Sequence, residues 1–101
     1  MPEEIVLTPV ELRQAEVAQY DENIRLYESL LQTLPTEWPA HLVKYRGTKD
    51  EHGAAAELES LADVELLSKL LQSDQCRAAI RAETLERTKA AAILAVLEAQ
   101  A

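Results

Sequence analysis

The chain has no phenylalanine, one tryptophan, one cysteine and two glycines in 101 residues. A lone Cys76 excludes a disulfide scaffold and fits a reducing compartment. With only Gly47 and Gly53 available, no glycine-rich loop can cradle a phosphate, and the dinucleotide and nucleophile-elbow signatures are missing. Val and Ile together number ten and turn residues are scarce, which argues against an all-β domain. No run approaches the roughly 20 apolar residues of a membrane span. The acidic start Met1-Pro2-Glu3-Glu4 lacks the basic region of a secretory signal. Bases are also few: ten Lys and Arg stand against 18 Asp and Glu, for a net charge of −8. That balance opposes attraction to a phosphate backbone or an anionic membrane. A cytoplasmic protein is expected, or failing that a nuclear one, with no direct nucleic-acid or membrane contact.

What is abundant is Ala and Leu, 16 of each, in patterns with helical period. Thr8, Pro9 and Glu11 form a capping box with proline at the first helical position, and Leu7 and Leu12 occupy the places of a hydrophobic staple. Val10, Val17, Ile24 and Leu31 then recur every seven residues, trailed by Tyr20, Tyr27 and Leu34, with Arg13 the one polar intruder. This is a coiled-coil-like seam. Leu12, Leu26 and Leu30 widen it, so the helix is expected to meet more than one neighbour. Pro35 ends it, giving a helix over residues 9–34. A short helix is expected over 37–46, stopped by Gly47, followed by a polar loop over 48–53. A third helix spans 54–72 and a fourth 74–99, divided at Ser73-Asp74. Because no Gly or Pro lies between Ala54 and Ala101, one unbroken helix over 54–99 is the competing reading. The expected fold is therefore all-α and a single domain. It is either a small antiparallel bundle of three long helices and one short one, or a helical hairpin whose overhang needs another subunit.

Groups able to do chemistry are sparse. His41, His52 and Cys76 are spaced by 11 and 24 residues, unlike the short paired spacings of zinc sites. Asp50-Glu51-His52 reads as a solvated loop. Adjacent carboxylates such as Asp21-Glu22 point about 100° apart on a helix and do not converge. Arg77, Arg81, Thr84 and Thr88 share a helical face near Arg87 and Lys89, but Glu83 and Glu86 interrupt it and no aromatic interleaves. Pairing with the acidic helices is the simpler reading. No catalytic residue, metal or cofactor is expected, and the chain does not read as an enzyme.

Two features stand out as binding surfaces. Trp38, Leu42 and Tyr45 fall at i, i+4 and i+7 of the short helix, as aromatic anchors of an interface or as a plug for the end of the bundle. The run 90–97 is apolar on all sides, and Ile93, Leu94, Val96 and Leu97 present more apolar surface than so short a chain can enclose. The reading that follows is a non-catalytic interaction module: a small subunit, adaptor or assembly factor that packs helices against another protein or a second copy. The alternative is an acidic inhibitor or regulator that occupies a basic, nucleic-acid-binding site on a partner.

Overall fold

A computed structural model describes residues 6–100; the acidic start at residues 1–4 lies outside that range. Among the described residues every regular element is helical. The first helix, α1, runs Pro9–Gln32. A single 3-10 turn covers Val43–Tyr45, α2 covers Glu51–Glu57, and α3 covers Leu61–Gln100.

The capping chemistry of α1 forms as its sequence dictates. Thr8 Oγ1 accepts from the Glu11 N–H at 3.2 Å, and the Thr8 N–H donates to Glu11 Oε1 at 3.3 Å. Two of the helix's orphan donors are thereby satisfied. Thr8→Ala should cost about 1 kcal/mol, read as a lower urea midpoint with an unchanged slope. The helix closes at Gln32, two residues short of expectation. The Thr33 N–H turns back to the Leu30 and Leu31 carbonyls before Pro35 forbids another turn.

The short helix expected over 37–46 is replaced by a turn and the 3-10 piece. Pro39 carries no N–H and pushes Trp38 out of helical geometry, so the first turn cannot assemble. Gly47 sits at φ 80°, the left-handed conformation that ends such turns and suits glycine. The loop expected over 48–53 is in part α2. Asp50 caps it, its Oδ1 accepting from the Gly53 N–H at 2.8 Å. A Cβ at Gly53 would collide with the Asp50 carboxylate, so glycine leaves that cap undisturbed.

The larger corrections concern the second half. The helix expected from residue 54 stops at Glu57, and the chain restarts after Ser60. Ser60 Oγ accepts from the Asp63 N–H at 3.4 Å and its carbonyl takes the Val64 N–H at 3.1 Å. No break occurs at Ser73-Asp74. Both residues spend their side chains elsewhere: Ser73 is fully buried, and Asp74 holds arginines from two parts of the chain. The result is a hairpin of two long helices rather than a compact bundle of three. At ~1.5 Å per residue α1 is about 36 Å long and α3 about 60 Å, matching the molecule's 62 Å longest dimension.

The register is antiparallel. Asn23 Nδ2 donates to Glu83 Oε2 at 3.2 Å and Arg87 Nε to Asp21 Oδ1 at 2.7 Å. Alignment on these pairs leaves the first dozen or so residues of α3 beyond the end of α1. The chain's own middle segment covers one side of that overhang. The stretch from Trp38 to Leu58 folds back so that Leu42, Tyr45 and Ala54 pack with Leu67, Leu70 and Leu71, flanked by Trp38, Leu58 and Leu66. This is the core of the molecule. Along the hairpin itself burial is thin: α1 has no buried residue, and on the facing stretch of α3 only Ser73, Cys76 and Ala90 are buried.

Ser73 Oγ has no hydrogen-bond partner in its buried position. A buried hydroxyl left unpaired is unfavourable. Ser73→Ala should therefore raise stability by roughly 1 kcal/mol, seen as a higher urea midpoint.

Candidate binding surfaces

The residues expected to bind partners divide into two groups. Leu42 and Tyr45 belong to the core, with Trp38 packed on its edge. The Tyr45 hydroxyl donates to Glu57 Oε2 at 2.8 Å, tying the 3-10 turn to α2. Arg46 lies 5.4 Å over the Trp38 ring and forks onto Asp74, Nε to Oδ2 at 3.0 Å and Nη2 to Oδ1 at 3.1 Å. Arg77 Nη1 reaches the same Oδ1 at 3.0 Å. Trp38, Leu42 and Tyr45 pack on α3 near one end of the hairpin; Leu42 and Tyr45 have no surface to offer. The helix that the i, i+4, i+7 spacing implied does not form.

The second group stays in contact with solvent. Ile93 and Val96 are 42% and 57% exposed, and Leu94 and Leu97 are half-buried. An isolated chain thus does not enclose its carboxyl-terminal apolar run. Leu12 and Leu30, the residues that widened the α1 stripe, are 55% and 44% exposed, and Leu26 is comparably open. No described part of this chain covers them.

The two flanks of the hairpin differ in chemistry. One flank of α1 carries Asp21, Glu22, Arg25 and Glu28. There Arg25 forks onto Glu22 at 2.6 and 3.0 Å, and that hydrogen bonding holds the Glu22 carboxyl below its ordinary range. Arg87 of α3 closes the same side through Asp21. The opposite flank forms a groove. At one end Leu12 meets Ile93 and Leu97 across it; at the other Tyr27 and Leu30 face Cys76 and Ala79.

The remaining reactive groups are dispersed. His41 Nε2 lies 3.1 Å from Asp63 Oδ1 on the surface. His52 lines a small apolar cleft of about 190 Å³ between α2 and α3 with Val64, Leu67 and Leu71. Cys76 is buried in the middle of α3. Among the described residues no three His, Cys, Asp or Glu side chains gather as a metal site, and no helix is long and apolar enough to cross a membrane. The basic stripe is largely spent within the protein. Arg77 pairs with Asp74, Arg87 with Asp21 and Lys89 with Glu86. The Thr84 and Thr88 hydroxyls donate to carbonyls of their own helix at 2.7 and 2.9 Å.

Compared with known proteins, the chain matches no family model, no curated protein and no solved structure.

Proposed function

We propose that this chain is a non-catalytic interaction module, a small subunit, adaptor or assembly factor that works by packing its helices against those of a partner. The observation that carries the reading is surface the chain leaves uncovered. A compact protein of 11.3 kDa exposes about 5,700 Å², whereas this one exposes 7451 Å², about 1,700 Å² more. The six residues outside the described range could contribute at most about 1,000 Å² even if fully exposed. The radius of gyration tells the same story, 20.1 Å against about 13 Å for a compact chain of this length.

The surplus includes apolar surface, and much of it lies on one side. Two helices can bury only a single line of contact between them, and stable helical domains add a further layer. Each Å² of apolar surface withdrawn from water contributes about 25 cal/mol, so a partner seated on the groove gains from Leu12, Leu26, Leu30 and Ile93 together. Sedimentation velocity combined with binding of an apolar fluorescent dye tests this. Dye binding that falls in Leu12→Gln/Leu30→Gln is the expected result. A compact monomer to which no dye binds would remove the reason for a partner.

A further inference from the structure

The groove on the α1–α3 flank has a length, and its character changes along it. Leu12 and Leu30 are 18 residues apart, five complete helical turns, so they lie on the same side of α1 about 27 Å apart. Ala79 and Leu97 of α3 stand in the same relation. The two apolar ends therefore lie in line along one flank of the hairpin, where a single straight segment can bridge both as one channel. Its middle is polar and acidic. Glu16, Gln19 and Asn23 follow Leu12 at intervals of four, three and four, the spacing of a second helix-facing seam, and Glu83 and Glu86 stand opposite on α3. Gln19 donates to Asn23 at 2.9 Å and Asn23 donates to Glu83 at 3.2 Å, so Glu83 is met by an amide and not by a cation. Glu16 is paired with Arg13 of its own helix in a half-buried contact, and Glu86 with Lys89 in an exposed one, a kind of pair that is weak. Partial burial first, and then the Glu16, Glu86 and Glu83 carboxylates against the opposing Arg13, push the Tyr20 phenol above its usual range.

We infer that this channel takes one amphipathic helix of a second protein, about 18 residues long, apolar at both ends and carrying Lys or Arg at its midpoint. The inference rests on the interaction reading above and names the partner's chemistry. Length fixes the number of turns, the apolar ends fix the anchors, and the acidic middle fixes the sign of the charge between them. A second copy of this chain fits less well. In a two-fold pair the middle of one groove meets the middle of the other. The two sets of Glu16, Glu83 and Glu86 would then be desolvated face to face, between chains that each carry −8. Like charges brought together in an interface are strongly disfavoured.

The test uses the full chain and three synthetic helical peptides of 18–20 residues. All share the same leucine-bearing ends and differ only at the centre, with Lys, Gln or Glu. Fluorescence anisotropy at low salt should rank them Lys, Gln, Glu, with at least a tenfold difference in affinity between first and last that shrinks at high salt. Leu12→Gln/Leu30→Gln should weaken the Lys-centred peptide at least tenfold while thermal unfolding stays unchanged. Glu83→Gln/Glu86→Gln should erase most of the ranking. Equal affinity for all three peptides would overturn the inference. So would a concentration-dependent dimer that the leucine double variant dissolves, although it would leave the interaction reading standing. A chain that stays monomeric and binds neither peptide nor dye ends both.

Discussion

Ser73→Pro should cost at least about 3 kcal/mol and separate the two ends of the molecule. Ser73 lies a third of the way along a 40-residue helix and is completely buried. Proline there removes one backbone hydrogen bond and drives its ring against the Lys69 carbonyl. The damage is more than local, because α3 is the element shared by the core around Leu70 and the seam against α1. In a domain of this size each kcal/mol is worth roughly 4–8 °C of melting temperature. A fall of about 12 °C or more, with loss of helical circular dichroism, is therefore expected. If the variant melted like the parent protein, the helix would break at Ser73-Asp74 and the hairpin would be wrong.

Leu70→Ala should destabilise by about 2–5 kcal/mol, combining the lost transfer energy with the cavity left behind. Leu70 is fully enclosed, as is Leu42 opposite it in the same cluster. With only six buried members in that cluster, few neighbours are available to collapse into the space. Leu85→Ala is the internal comparison. Its side chain is 56% exposed, and a surface truncation of that kind shifts stability by no more than about 0.5 kcal/mol. Urea denaturation of both variants measures the contrast. Equal effects would show that the core does not lie where residues 38–58 meet α3.

How much of this was legible in the sequence depends on whether a signal is local or tertiary. The start of α1 is local chemistry, and the Thr8–Glu11 box is realised as read. The seam is nearly local, since its period alone names the residues that turn toward α3. The position of the break is different. Ser60 with Asp63 and Ser73 with Asp74 both look like helix starts, and capping preference does not separate them. What decides is Arg46, which reaches Asp74 from 28 residues away, together with the burial of Ser73; neither is visible in a window of sequence. Trp38, Leu42 and Tyr45 show the converse case. Their apolar character sent them to the core, while Pro35 and Pro39 denied them the helix on which the spacing was read. The stripe of Leu12, Leu26 and Leu30 reads as a face for a second neighbour, and the fold leaves it open. That a single neighbour arrives, and that the overhang of α3 is covered on one side by the chain's own middle segment, follows only from the fold.

The lopsided placement of buried side chains gives the single thiol an unplanned use. Cohesion is concentrated where residues 38–58 clasp α3, and the rod loosens toward its two chain ends, so it should unzip from that side. Cys76 sits at the inner limit of the loose stretch, 5% exposed on the groove wall, and an alkylating reagent reaches it readily only after the helices have parted that far. Its labelling rate is thus a clock for the opening of the zipper, and anything that settles against the rod will slow that clock in proportion to how firmly it holds.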